Sequence, residues 1–216
     1  MRKRWLRRKP QRPRLLRFER QARKKGHRLI AGVDEAGRGP LAGPVVAASV
    51  ILGKASFSAR IDDSKKLSSA QRYRAFREIV SSSLVSVGII SHHLIDDINI
   101  YEATRLAMKE AVSGLGVKPD FALVDGRMRL DLPCSHKCIV RGDALSLSVA
   151  AASIVAKVVR DSIMLDYSEH YPQYGFSAHK GYPTKTHIKK LLKLGPCSIH
   201  RKSFRPVKNL IKEGCL

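Results

Sequence analysis

A short apolar run, Leu29-Ile30-Ala31-Gly32-Val33, ends on two adjacent acids, Asp34 and Glu35, and is followed at once by the turn-forming Gly37 and Gly39. A run of this length suits a strand better than a core helix. The β-branched stretch at 44–52 follows so closely that the spacing predicts an antiparallel partner across the glycine-rich connection. The chain is thereby committed to a sheet with carboxylates at one end of a strand, and the folded domain is expected to begin at residue 28.

Downstream, strands and helices alternate. Ser68 is placed to cap a helix over 69–80, where Tyr73, Phe76, Ile79 and Val80 recur at helical spacing. Residues 84–90 read as a strand. Asn99 is placed to cap a further helix that runs through Leu106, Met108, Ala111 and Val112 to Gly114 or Gly116. Residues 121–124 form a short apolar strand ending at Asp125-Gly126, and 138–140 another ending near Gly142-Asp143. The stretch 146–165, rich in Ala, Ser, Val and Ile and free of Gly and Pro, predicts a helix packed closely on the sheet. A Lys-rich helix is expected over 184–194, and no internal repeat is present.

Charge says what kind of partner such a domain meets. Forty-one Lys and Arg against 18 Asp and Glu give a formal +23, more than solubility asks for, which points to a polyanion, nucleic acid before membrane surface. Residues 1–28 hold 14 of those cations and one acid, Glu19, so 1–27 read as a basic, mobile arm, either a solvated tail or an auxiliary nucleic-acid contact. No run has the length of a signal peptide or membrane span, so a cytoplasmic protein without membrane association is expected. Cys134, Cys138, Cys197 and Cys215 lack the paired spacing of a zinc module and read as reduced thiols.

The strand-end acids Asp34, Glu35, Asp125 and Asp143 are the candidates for chemistry. They are hard oxygen donors suited to Mg2+ or Mn2+ rather than zinc, and hydrolysis of a phosphodiester by two metals needs such acids to converge. Singly, each also fits a blander role: Asp34-Glu35 and Asp125 as turn residues, Asp143 as a helix cap. Adjacent strand residues point to opposite faces, so Asp34 and Glu35 share a site only if the backbone bends. Together, in a strongly cationic protein, they indicate a metal-dependent nuclease.

The motifs go further. GVDEAGRGPLAGPVVAASVIL at 32–52 is followed in order by DDSKKLS at 62–68, VDG at 124–126, GDALSLSVAAASIVAKVVRD at 142–161, YGFSAHKGYPT at 174–184 and HRKSF at 200–204. This series resembles the bacterial ribonuclease HII family over nearly the whole chain after the arm. The resemblance implies an α/β, ribonuclease H-like fold, with a central mixed five-stranded sheet flanked by helices and a helical C-terminal region, in a catalytic domain over 28–216.

It also implies a four-acid set on Asp34, Glu35, Asp125 and Asp143, with Asp161 competing for the fourth place but read as structural. The implied activity is two-metal hydrolysis of RNA paired with DNA, and of the phosphate 5′ to a ribonucleotide embedded in duplex DNA, leaving 5′-phosphate and 3′-hydroxyl ends.

On the same resemblance, Gly37, Arg38 and Gly39 read the 2′-hydroxyl, and Tyr182 packs on the sugar of the next nucleotide. Ser64, Lys65, Lys66, Thr184 and Lys185 contact backbone phosphates. His179, His187 and His200 are either proton-transfer groups or ordinary hydrogen-bonded histidines. No obligate protein partner is expected, and the protein is expected to be a monomer. Two alternatives stand beside this reading. A ribonuclease of the HIII type would carry a larger N-terminal domain and a glutamate as fourth acid. A non-catalytic basic binding protein would leave the acids unexplained.

Overall fold

The computed structural model describes residues 13–53 and 56–212. Residues 1–12 of the expected arm, and Cys215, lie outside the described residues. The rest of the arm differs from expectation: a 3-10 turn, Pro13–Leu16, leads into α1, Arg17–Lys24. Leu15, Glu19 and Ala22 are buried against the domain. Their spacing of four and three residues makes one helical face, and that narrow stripe outweighs the surrounding charge because Arg17, Arg20 and Arg23 remain on the solvent side.

The sheet comprises β1 (Ile30–Ala36), β2 (Val45–Leu52), β3 (Ser83–Ile90), β4 (Phe121–Asp125) and β5 (Ser135–Ile139), in the spatial order β3-β2-β1-β4-β5. β2 is antiparallel to both β1 and β3, while β4 runs parallel to β1 and to β5. The sheet is therefore mixed and five-stranded. The helices are α2 (Ser69–Ser82), α3 (His92–Ser113), α4 (Gly142–Leu145), α5 (Leu147–His170), α6 (Phe176–His179), α7 (Lys185–Leu194) and α8 (Arg205–Lys212).

Strand alternation divides the core in two. Ala48 and Val50 of β2 pack with Ala75 and Ile79 of α2 and with Leu147, Ala151 and Ile154 of α5. On the other face, Ala31, Val33, Val45, Ala47 and Val124 pack with Ala103, Ala107 and Ala111 of α3. Gly32 explains how α5 comes so near: a Cβ there would overlap the Ser148 backbone, so only glycine lets the helix start lie on β1.

Local signals behave as their chemistry requires. Ser68 caps α2 in a reciprocal capping box with Gln71, and Thr184 caps α7. Asn99 interrupts α3 with φ 68 and ψ 164. Its Oδ1 accepts from the backbone N–H groups of Tyr101 and Glu102 at 2.9 and 3.1 Å. The expected cap is thus present, inside a helix that begins seven residues earlier at His92 under its own cap, Ser91.

Candidate active site

β1 and β4 run parallel, so their carboxyl ends lie side by side. Their pairing stops at Val33↔Val124, which leaves Asp34 and Asp125 as the next residues on each strand. Both belong to the face that carries Gly32 and Leu123, the face covered by α5. The ends of adjacent parallel strands are where open α/β sheets place ligands.

Asp34 is buried, and its Oδ1 accepts from Glu35 N–H at 2.7 Å. Burial, then the charges of Glu35 and Asp125, push its carboxyl well above the usual range, although Ser153 donates to it. Glu35 is raised too, first by burial, with Arg38 opposing and Asp125 adding to the shift. β1 stays paired with β2 through Ala36↔Val46, so the expected bend does not fall between the two acids; they are close all the same, since Glu35 raises the Asp34 carboxyl and Asp125 raises both. By alternation Glu35 leans to the other face, where Arg38 Nη1 stands 3.4 Å from its Oε1. The turn comes afterwards at Gly37, at φ +98.

Asp143 lies on a short helical turn rather than at a strand end, because β5 stops at Ile139 and Arg141 takes a left-handed conformation to start α4. Asp125 reaches this turn directly, its Oδ1 accepting from Gly142 N–H at 2.6 Å. Burial, Asp63 and Asp125 raise the Asp143 carboxyl. Lys65 Nζ is 3.8 Å from Asp143 Oδ2. Burial would lower the Lys65 pKa, but Asp143, Asp63, Asp34 and Asp125 outweigh it and raise it.

Among the described residues no three His, Cys, Asp or Glu side chains form a ready-made metal cage. The donor set still fits Mg2+ or Mn2+. The acids repel one another, supply only hard oxygens, and leave coordination places of the kind that Mg2+ fills with water and substrate phosphate.

The glycine loop is held by two fully buried arginines that the sequence reading passed over. Arg160 on α5 donates to Pro44, Lys180 and Ala42 carbonyls at 3.0 to 3.1 Å. Arg201 donates to Gly43 (2.9 Å), Arg38 (3.1 Å), Pro40 (2.8 Å) and Gly37 (2.6 Å). Burial and Arg160 push the Arg201 guanidinium down to about 9, still cationic at neutral pH. A Cβ on Gly37 would strike the Arg160 side chain, so glycine is required there both by φ and by space. Gly39 is open: a Cβ there would meet only Tyr182 Cε1, at 3.9 Å. Lys157 Nζ and Arg160 Cζ lie 5.6 and 5.7 Å from the Tyr182 ring centroid.

Other expected contacts sort differently. Ser64 is buried, its Oγ 3.0 Å from Ser153 Oγ. It belongs to the support of Asp34 rather than to an open phosphate surface, because the 3-10 turn Ser64–Lys66 points it inward. Lys66 pairs with Asp62 and Asp63 at 3.6 and 3.9 Å. Thr184 Oγ1 is occupied in capping α7, and Lys185 is exposed. Asp161 pairs with Lys157 at 2.7 Å on its own helix. His179, His187 and His200 lie buried around Phe176.

The family model for Ribonuclease HII matches residues 31–207. The chain belongs to the ribonuclease HII family. As a ribonuclease HII it is an enzyme of the ribonuclease H class, an endonuclease acting on RNA–DNA substrates. It is 53% identical over 203 residues to the Ribonuclease HII of Geotalea uraniireducens (strain Rf4), covering 94% of each chain. The ribonuclease H2 from Pyrococcus horikoshii OT3 shares the fold at a TM-score of 0.74 and 24% identity, over 86% of this chain and 98% of that one. The RNase HII of Archaeoglobus fulgidus, solved in a complex with PCNA, gives 0.72 at 26% identity, over 84% and 96%. Among the described residues of this chain, no helix is long and apolar enough to cross a membrane.

Proposed function

We propose that this enzyme cuts on the 5′ side of ribonucleotides embedded in duplex DNA, as well as within the RNA strand of hybrids, using Asp34, Glu35, Asp125 and Asp143 to hold two divalent ions. The observation that carries the reading is the adjacency of two elements beside the acids. The open side of Gly39 faces Tyr182, and both stand on backbone fixed by Arg160 and Arg201.

A flexible loop could not tell ribose from deoxyribose, because one 2′-hydroxyl must find its partners without competing rearrangement. Here the carbonyls of Gly37, Arg38 and Pro40 are already bound by Arg201, which leaves the outward backbone and the Arg38 side chain to meet the sugar and phosphate. Tyr182, 38% exposed, offers a ring to the neighbouring sugar. Lys65, Lys66 and Lys185 supply ammonium groups that position backbone phosphates without reading sequence, with the exposed Thr184 beside them.

When bound, Mg2+ or Mn2+ would supply Lewis acidity and activation of the attacking water. The carboxylates fix where that happens: Asp34 and Asp125 from adjacent strands, Asp143 from the turn that Asp125 anchors, and Glu35 beside Arg38. No covalent step on the protein is required, and the products keep 5′-phosphate and 3′-hydroxyl ends. The test is a DNA duplex with one ribonucleotide, incubated with each metal in series and resolved by end chemistry. Cleavage 5′ of the ribonucleotide is expected with Mg2+ or Mn2+. An intact duplex with both, beside an active control, overturns the proposal.

A further inference from the structure

Glu19 is the one acid in the basic first 28 residues, and it is buried at 5% exposure. A carboxylate in that setting needs strong partners. Its Oε1 accepts from Ser146 Oγ at 2.6 Å, Ser148 N–H at 2.9 Å and Ser148 Oγ at 2.9 Å. Ser148 N–H is one of the unpaired donors at the start of α5, where the helix dipole also favours a negative charge.

These contacts fall at one end of the turn that carries Asp143. At its start, Gly142 N–H is held by Asp125 Oδ1. At its end, Ser146 N–H donates to Gly142 O at 2.8 Å, while Ser146 Oγ also accepts from Val149 N–H to cap α5. Asp143 is therefore suspended between two carboxylates, one in the site and one on the basic segment. The flanking Leu15 and Phe18 join the core, Leu15 in the cluster that holds Leu147 and Phe18 against the one that holds Val149.

We propose that Glu19 is a positioning residue for Asp143: through Ser146 and Ser148 it locks the α4–α5 junction, and so sets how well the fourth acid receives a divalent ion. The inference rests on Asp143 being a metal ligand. It makes the basic segment part of the active-site support rather than an appendage.

The test uses the full chain. Mn2+ binding is titrated by the electron paramagnetic resonance of the free ion, alongside cleavage across a Mn2+ series, amide hydrogen exchange of residues 142–149, and thermal unfolding. Glu19→Ala is expected to raise the Mn2+ dissociation constant by about 10-fold, the range for a residue supporting a metal ligand. It is also expected to speed exchange at 142–149 and to lose most of its cleavage defect at saturating Mn2+. Glu19→Gln keeps an acceptor at Oε1 and is expected to bind Mn2+ within about twofold of wild type, because the bonds rather than the charge hold the junction. Ser148→Ala removes one of the three donors and is expected to shift in the same direction by less.

A lowered melting temperature in Glu19→Ala with unchanged Mn2+ affinity and unchanged exchange overturns the proposal. If Glu19→Ala does not fold, unchanged affinity in Ser148→Ala overturns it. Asp143→Ala separates the two readings: unchanged Mn2+ affinity there removes Asp143 from the metal site, whereas a loss there without one in Glu19→Ala removes only Glu19.

Discussion

Beside the carboxyl ends of β1 and β4, burial and neighbouring acids raise the carboxyls of Asp34, Glu35 and Asp143, and among the described residues Arg38 and Lys65 stand near them as counter-charges. Around Phe176 the other buried titratable cluster is built in the opposite sense. Cys197 N–H donates to His200 Nδ1 at 3.0 Å, so neutral His200 carries its proton on Nε2 and gives it to His187 Nε2 at 3.1 Å. His187 then donates from Nδ1 to Tyr182 O at 2.9 Å. His179 accepts from Gly181 N–H and donates to Tyr174 O. Every ring nitrogen of these three histidines is partnered in one tautomer, with Cys197 Sγ also 3.1 Å from His200 Nδ1. The satisfied network is architecture, tying Tyr182 to the C-terminal region. The acids instead stand together against their own repulsion, which supports the proposed reading of a site that a cation would complete.

The comparison breaks first at Asp125. Asp125→Asn keeps an oxygen for Gly142 N–H but loses the charge, so cleavage is expected to fall by about 10³-fold or more while duplex binding stays within a few-fold. Single-turnover rates and binding isotherms decide it, and near-normal cleavage would remove Asp125 from the chemistry. Next in size is pH. Burial pushes His187 and His200 down to about 4, below the 6.5 of an exposed histidine. Their contribution is complete above 6.5 and is lost as pH falls from 6.5 to 4, since the unfolded chain takes up protons that the folded cluster refuses. The slope is up to about 1.4 kcal/mol per pH unit for each histidine. Urea midpoints across that window test it, and a flat profile would mean that the cluster accepts a proton.

Third comes His200→Ala. It strands Cys197 N–H and one face of His187, and is expected to cost about 2–4 kcal/mol with turnover per folded molecule within a few-fold of wild type. A hundred-fold loss of turnover at unchanged stability would instead make these histidines proton carriers.

How much of this could be read from the chain follows the same division. Asp34 and Asp125 were legible because strand ends announce themselves as apolar runs broken by acid and glycine, and the β1–β2 pairing followed from the loop length between them. Asp143 is also picked out as a strand-end acid, but it sits on a helical turn instead, since nothing local signals that Arg141 turns left-handed and starts a four-residue helix. Arg160 and Arg201 were passed over because arginine in a basic protein reads as surface. The only hint was their position inside the RD and HRKSF motifs, and their role depends on carbonyls more than 100 residues away. The seating of α1 had a signal that charge obscured: Leu15, Glu19 and Ala22 mark a buried stripe, but a lone acid among cations looks like an accident until its serine partners come together.

Asp34→Asn should produce the smallest effect on the fold and the one that most sharpens the contrast. Asp34 has its carboxyl raised well above the ordinary 3.8 by burial, Glu35 and Asp125. A raised carboxyl contributes stability that is fully present below the unfolded value and lost as pH rises through the folded one. Near neutral pH, with divalent ions chelated, the Asp34 carboxyl therefore works against folding whichever form it takes, and asparagine, which does not titrate, removes that cost while keeping an acceptor for Glu35 N–H and Ser153. The variant is expected to melt about 2–4 °C higher, as about 1 kcal/mol does in a chain of this size, while cleaving orders of magnitude more slowly. The gain should shrink as pH falls through the folded value and reverse in excess Mn2+, which stabilises only the protein that binds it. A lower melting temperature at neutral pH in chelator would mean that the Asp34 carboxylate is held by hydrogen bonds as the histidines are, and that the two clusters are not opposites.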